Sequence, residues 1–409
     1  MQRFILPAAM ILAAATLTTA APTITCPFEP PATREVHLTR RWILDPDDEA
    51  TPLLGVIRDA ARGPAGQVYL LDMQLCHVLE YDDRGTLVRT LGREGDGPGE
   101  FRRSSRLLVH ADGDLGVQQD FPLKLERLHP DGTPAGRWTP ANKTMMATDV
   151  ALSGRRLVLC GQSREQARST PSKTLDRHTI ALYDADGEPT CTFASKEVET
   201  SFDPAIYDEA QADFPGARWC VTSDGLVVIA PDRDRYHLEY YRPDGELVQV
   251  VDRPITPHRR TADELAERRQ SVSYSVGGQQ VAVDCRLLDH DPVISRLRAL
   301  PDGQVGVVHA GLPRDTQDPH PRWRWDVHDR SGRLTERVTL VADAEARAQD
   351  LWIVLDGLHA VCLHEFLAAV TGYWAGQGQE MPALAGGEDA PHTVSYWSAD
   401  AQATREDLR

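Results

Sequence analysis

The densest grouping of charged side chains on permissive backbone is "LGREGDGPGEF", Leu91 to Phe101, with four glycines and one proline in eleven residues. Arg93, Glu94, Asp96 and Glu100 are its candidate ligand-binding groups. A phosphate loop of the G-x-G-x-x-G kind would have to open a helix after a parallel strand, and a P-loop needs a lysine. Neither condition holds here. An EF-hand loop needs acidic ligands at alternate positions ending in a glutamate, and that pattern is absent too. The glycines fit a tight crossover between two pieces of sheet, which Pro98 stiffens. The alternative is that the four charged residues face a ligand.

Elsewhere the chemistry is thin. No G-x-S-x-G elbow occurs, and "HEFLA" at His364 lacks the second histidine of H-E-x-x-H. His110, His178, His237 and His328 each fall in or beside an expected strand, where a structural role is the reading. Asp184 and Asp186 in "YDADGEP" suit a hairpin turn as well as a metal. Trp323 and Trp325 in "RWRWDVHD" share a strand face, for packing or as a sugar platform. No metal motif and no cofactor motif is recognised. The seven cysteines are widely spaced, with no C-x-x-C. Cys160 and Cys191 flank one repeat and could pair across neighbouring strands; isolated thiols are the alternative.

The elements that carry these residues come from paired turn signals. "GPAGQVYLLD" precedes "YDDRGTLVRTLG"; "ADGDLGVQQD" precedes "HPDGTPAGRW"; "LSGRRLVLCG" precedes "YDADGEPTCTF". "TSDGLVVIAP" precedes "YRPDGELVQVV", "PDGQVGVVHA" precedes "HDRSGRLTERVTL", and "LDGLHAVCLHE" precedes "FLAAVTGYWA". Glycine at these turns accepts positive φ, and the neighbouring Asp or Ser bonds the local backbone. Short runs of Val, Leu, Ile and Tyr come after each turn. Each unit therefore holds four short antiparallel strands. Repeated four-strand units are propeller blades, because a lone blade cannot bury both faces. The expectation is an all-β, six-bladed β-propeller over 35–376; seven blades is the alternative count.

Upstream, "REVHLTRRWIL" alternates as a strand without a partner of its own. The sixth unit, Leu351 to Ala375, supplies three strands. Glu35 to Leu44 is thus expected to close the ring as the outer strand of that blade. Residues 254–293 form an insertion between blades four and five. There "TADELAERRQ" opens with a T-x-x-E capping box at Thr261 and Glu264. Residues 377–409 read as a flexible tail.

The first and fourth blades carry a family resemblance. "GQVYLLD…HVLEYDDRGTLVRTLGREGDGPGEF" and "RDRYHLEYYRPDGELVQVVDRPITPHRRTADE" resemble the six-bladed propellers of the NHL and TolB-like type, over roughly residues 35–375. The fifth unit departs, with "GQVGVVHA" where an aromatic is usual. The resemblance implies architecture, and a family of exported bacterial proteins mostly without assigned activity.

Function classes narrow further. A formal charge of −17 disfavours a nucleic-acid partner. "MQRFILPAAMILAAATLTTA" has the charged start, apolar stretch and small-residue end of a secretory leader cut after Ala20; an uncleaved anchor is the alternative. "TITC" before Cys26 lacks a lipobox. The protein is expected in the periplasm or outside the cell, with no membrane span once the leader is removed. The expected function is a binding or protein-interaction scaffold for a protein, peptide or carbohydrate, through the channel mouth and face loops. The alternative is a lactonase-like hydrolase or a lyase with a metal in the central channel. Related sites combine asparagine with acidic ligands, and Asn142 is the sole asparagine.

Overall fold

Each pair of turn signals brackets an antiparallel sheet. The computed structural model describes residues 21–399, apart from residues 50, 167–172, 277–278, 314–318, 346 and 378–392. The chain is nearly all β, with curled sheets. The first sheet runs Ile57–Arg62, Val68–Asp72, His77–Tyr81, Leu87–Leu91, and the second Ser104–Val109, Leu115–Gln119, Lys124–Leu128, Pro134–Trp138. Met146–Ser153, Arg156–Gln166, Lys173–Tyr183 and Pro189–Phe202 form the third, whose outer edge adds Ala205–Asp208 and Val283–Arg286. The fourth holds Trp219–Val221, Val227–Ile229, Tyr236–Tyr241 and Leu247–Arg253, with Thr23–Thr25 added in parallel outside. Ile294–Ala299, Val305–His309, Arg322–His328 and Leu334–Ala342 make the fifth.

Thr33–Leu44 joins the fifth sheet to a sixth within one continuous eight-stranded sheet. Its second half pairs antiparallel with Val394–Ala399, which pairs with His359–Leu363, which pairs with Leu351–Val354. Its first half, Thr33 to Leu38, runs parallel to Arg337 to Ala342 of the fifth sheet. Alternation explains the side chains: Val36, Leu38, Trp42 and Leu44 are buried, while Glu35, His37 and Ile43 face outward. Trp42 stacks on Tyr396 at 5.2 Å and lies against Gly85 of the first sheet. Gly85 has φ +84°, and a Cβ there would sit 2.6 Å from the indole, so the turn needs glycine twice over.

Apolar side chains collect between consecutive sheets. Leu71, Val78 and Leu91 meet Leu107, Leu115 and Val117 between the first and second. Similar clusters join second to third, third to fourth, fourth to fifth and fifth to sixth. A further cluster joins the sixth to the first, through Val361, Leu363, Val394 and Tyr396 against Ile57, Val68, Leu70 and Tyr81. At roughly 25 cal/mol per Å2 of buried apolar surface, these faces are the main favourable term in the fold.

Two expectations about the sixth unit need correction. "FLAAVTGYWA" is not strand material: Phe366–Gly376 is a helix, packed by Leu367, Val370 and Trp374 on the cluster between the sixth and first sheets. The run is apolar at nearly every position, so neither the two-residue nor the 3.6-residue period stands out. The third strand comes instead from "VSYWSA", Val394–Ala399, within the segment read as a tail; five of its six residues are buried. The cysteine pairing also fails. Cys160 and Cys191 lie on strands that both pair with Lys173–Tyr183, one on either side, and all seven cysteines are unpaired. Two strand spacings, about 9.6 Å, exceed what a disulfide spans. In the insertion, Ala262–Gln270 is a helix with both capping-box bonds present at Thr261 and Glu264.

Candidate functional site

The opening loop folds onto its own backbone and onto the outer strands of the second sheet. Arg93–Glu94 runs parallel to Glu100–Phe101. Glu100 accepts bonds from the Arg93 guanidinium at 2.7 Å and from Gly97 N at 2.8 Å, the latter the stronger reason its carboxyl stays below the usual range. Arg137 donates to the carbonyls of Asp96 and Gly97 and to the buried Glu126 carboxylate. Lys124 Nζ reaches the Glu100 carbonyl at 3.0 Å. Glu94 and Asp96 are exposed, with Arg102 at 3.7 and 3.8 Å. Arg93 and Glu100 therefore satisfy each other.

A different set of charges converges at the first strands of the sheets. These strands lie side by side in the order Ile57–Arg62, Ser104–Val109, Met146–Ser153, Trp219–Val221, Ile294–Ala299. Four carry a bulge at a matching place, where pairing skips Arg58, Ser105, Thr148 or Ser295. A bulge adds one residue to one strand and re-aims the side chains after it. The residues directly after these four bulges are Asp59, Arg106, Asp149 and Arg296 in turn. Each is succeeded by a residue packed between sheets: Ala60, Leu107, Val150 and Leu297. In the fourth sheet the corresponding residue, Arg218, is drawn aside to clamp Asp213 through bonds of 2.9 and 2.7 Å.

Acid and base alternate here. Burial pushes the Asp59 carboxyl up to about 6, although the Arg106 charge pulls it back. One Asp59 oxygen accepts Leu107 N at 2.8 Å, tying first sheet to second. Arg106 Nε lies 3.7 Å from Asp149 Oδ1. Burial also raises Asp149, against Arg106 and then Arg296. Two residues beyond Arg296, Arg298 is held down to about 10 by burial and by Arg296. Its Nη1 donates to Val354 O at 2.8 Å in the sixth sheet, and its Nε makes no hydrogen bond. A cavity of about 400 Å3 opens here, lined by Asp59, Arg62, Arg106, Val109, Ile353 and Leu355. Asp59, Arg62 and Arg106 line the cavity, and Asp149, Arg296 and Arg298 lie on the other first strands. The Arg106 charge acts on both carboxylates, pulling each back toward its ionised form.

A third grouping lies at the start of the sixth sheet. Asp350 precedes its first strand; Cys362 lies near the end of its second, and His364 comes directly after that strand. Asp350 Oδ2, Cys362 Sγ and His364 Nδ1 approach one another at 3.2 to 3.7 Å. Among the described residues this is the one group of three or more His, Cys, Asp or Glu side chains spaced to hold a metal ion. Ser395 Oγ lies 2.8 Å from His364 Nε2, which makes an Asp–His–Ser order. Ser395 is fully buried and its oxygen also accepts the Trp397 indole N–H at 2.9 Å. A nucleophile needs an open face, so this serine orients the imidazole.

The histidines singled out from sequence hold structural positions. His328 bonds the Tyr236 hydroxyl at 2.7 Å and the Gly332 carbonyl at 3.0 Å, fully buried. His237 bonds Asp252 at 2.7 Å, and His110 and His178 are held below the usual imidazole range mainly by burial. Asp184 caps its own turn by accepting Asp186 N and Glu188 N. Trp325 is buried, and Trp323 packs on Trp352 at 5.3 Å. Sequence reasoning passed over Asp59, Arg106, Asp149 and Arg296; aligning the units on the glycine of their first turns puts Asp59, Arg106 and Arg296 in one column with Arg218, and leaves Asp149 two positions out of it.

No family model matches the chain, and no curated protein does. Among solved structures it is similar to a putative exported protein of Bacteroides fragilis, at 14% identity, 93% of this chain, 100% of that one and a TM-score of 0.45. Virginiamycin B lyase of Staphylococcus aureus is similar at 8% identity, 88% of this chain, 98% of that one and 0.37. A calcium-binding protein, regucalcin, of Agrobacterium tumefaciens is similar at 11%, 92%, 97% and 0.36. These neighbours are propeller-type folds. No helix among the described residues is long and apolar enough to cross a membrane.

Proposed function

We propose that the chain is an exported six-bladed propeller of the NHL and TolB-like type, closed by its N-terminal strand. In this reading it binds a carboxylate-bearing ligand at the end of its axis, free or as an acidic group of a partner protein. The leader-like first twenty residues support export. The interlocking clusters and the double pairing of Thr33–Leu44 support the ring.

One observation carries the ligand class. The chain has a formal charge of −17, yet Arg106, Arg296 and Arg298 outnumber Asp59 and Asp149 on the inner strands. Arg298 keeps a buried, unbonded Nε. A guanidinium presents a planar fork that matches a carboxylate. A metal-dependent hydrolase or lyase centred on the axis is the rival, and its cation would have to compete with the Arg106 charge for Asp59 and Asp149. Arg93, Glu94, Asp96 and Glu100 stay outside this reading.

The test is thermal stabilisation of the full chain by succinate, citrate and a short poly-glutamate peptide, with and without Arg296→Gln. A saturable rise in Tm that weakens with salt and disappears in the variant is expected. A rise unchanged by the variant, or no rise with any of the three probes, overturns the reading.

A further inference from the structure

We infer that Asp350, Cys362 and His364 form a zinc site with an open fourth position. The site is independent of carboxylate binding on the axis, since none of its residues belongs to the first-strand charges.

Three distances carry it. Cys362 Sγ lies 3.7 Å from Asp350 Oδ2 and 3.6 Å from His364 Nδ1, and His364 Nδ1 lies 3.2 Å from the same Asp350 oxygen. Zinc takes sulfur at about 2.3 Å and nitrogen or oxygen at about 2.0–2.2 Å, in a tetrahedron. Those lengths at a tetrahedral angle put sulfur about 3.6 Å from its nitrogen and oxygen neighbours, and nitrogen about 3.3–3.4 Å from oxygen. All three edges of one tetrahedral face thus match zinc geometry to within a few tenths of an ångström. The donor set, one thiolate, one imidazole and one carboxylate, suits zinc and disfavours calcium or magnesium, which take oxygen ligands.

The surroundings fix each donor. Asp350 uses its other oxygen, Oδ1, to accept Glu365 N at 3.0 Å. His364 has Nε2 on Ser395 Oγ at 2.8 Å, and the Trp397 indole donates to that same oxygen. A ligating histidine is regularly oriented through its second nitrogen in this way. The chain then turns sharply, with Glu365 at φ 53°, so that the helix Phe366–Gly376 leads away from the cluster. Cys362 and Ser395 are buried, as a thiolate ligand and its support require.

The fourth position is reached from one side. A cavity of about 730 Å3 borders Asp350 and His364, and Arg40, Arg347 and Trp397 contribute to its wall. Zinc there would take water or an anionic oxygen ligand as its fourth partner, in a cavity where Arg40 and Arg347 share the wall with Asp343, Glu345 and Glu365. Such an open position marks reactive zinc sites, whereas purely structural ones are closed by four protein ligands.

Cobalt is the direct probe. The full chain, stripped with a chelator and freed of it, is titrated with Co2+ and then with Zn2+. One equivalent of cobalt should give the intense visible bands of a tetrahedral ion and a near-ultraviolet thiolate band, both erased by one equivalent of zinc. Cys362→Ser should lose the thiolate band and His364→Gln the tetrahedral bands. Ser395→Ala should keep one equivalent but bind about 10–100-fold more weakly. A weak six-coordinate cobalt spectrum without a thiolate band in the unmodified protein overturns the inference, whatever the variants do. So does zinc binding that Cys362→Ser and His364→Gln leave unchanged.

Discussion

Asp326→Asn should be among the most damaging single changes in this chain. Asp326 is fully buried in the third strand of the fifth sheet. Arg253 Nη1 donates to Oδ2 at 2.9 Å, and His309 Nε2 lies 2.9 Å from the same oxygen. Arg337 donates to both oxygens, at 2.7 and 3.1 Å. Arg253 comes from the fourth sheet, stacks 4.9 Å from the Tyr236 ring centre and also holds the carbonyls of Pro27 and Phe28. One carboxylate therefore ties two sheets and the incoming N-terminal segment together. Asparagine keeps the shape but removes the charge, and turns an N–H2 toward guanidinium donors. Breaking a buried pair from one side costs about 3–5 kcal/mol, because the remaining charge is stranded. Against a total stability of about 5–15 kcal/mol that is severe. At an m of about 3 kcal/mol/M it should lower the urea midpoint by roughly 1–1.7 M. The double change Asp326→Leu with Arg253→Met should regain only part of the loss, since Arg337 is still left without its carboxylate. The pH dependence has a definite sign. Burial alone would raise the Asp326 carboxyl; the bonds from His309, Arg337 and Arg253 hold it far below its usual value. Its stabilisation is present above the unfolded value near 4 and is lost as pH falls below that. The gap between the two proteins should narrow in acid. A variant within about 0.5 kcal/mol of the parent at neutral pH would refute the reasoning, since surface changes already vary by that much.

Two further outcomes rest on named contacts. Burial lowers the His328 imidazole from 6.5 to about 4, so the unfolded chain takes up the proton first. Stability should be full above about pH 6.5 and fall by roughly 3 kcal/mol toward pH 4, and urea titrations of His328→Gln should lack that slope. Trp42→Ala removes a buried ring stacked 5.2 Å from Tyr396 and 5.6 Å from Tyr81. It should cost about 3–5 kcal/mol in thermal or urea unfolding, and removing residues 21–44 should cost more; a truncated chain that melts like the parent contradicts closure by this strand.

Local chemistry made much of the architecture readable. A turn such as "DDRG" needs glycine at positive φ, and a strand such as "GQVYLL" fits a pleated, packed surface, so the paired units stand out without any partner in view. The same holds for the Thr261–Glu264 cap, and for "REVHLTRRWIL", whose alternation shows a strand in search of an edge. The inner-strand charges were hidden for a different reason. Asp59, Arg106, Asp149 and Arg296 sit just after bulges, and a bulge breaks the two-residue period by which a strand's inward face is recognised. In the sequence they read as ordinary outward charges. Phe366–Gly376 was invisible as a helix because an all-apolar run carries no period, and Val394–Ala399 was lost behind a loop-like stretch. Asp350, Cys362 and His364 show only how far apart they are along the chain, and C-x-H alone is common. They meet because Leu351–Val354 and His359–Leu363 form a hairpin whose register sets Leu351 opposite Leu363, and so brings Asp350 beside His364. What only the tertiary structure decides is the support from Ser395 and Trp397, because their strand is held in place by the distant Thr33–Leu44 through apolar faces that bury each other across hundreds of residues of separation.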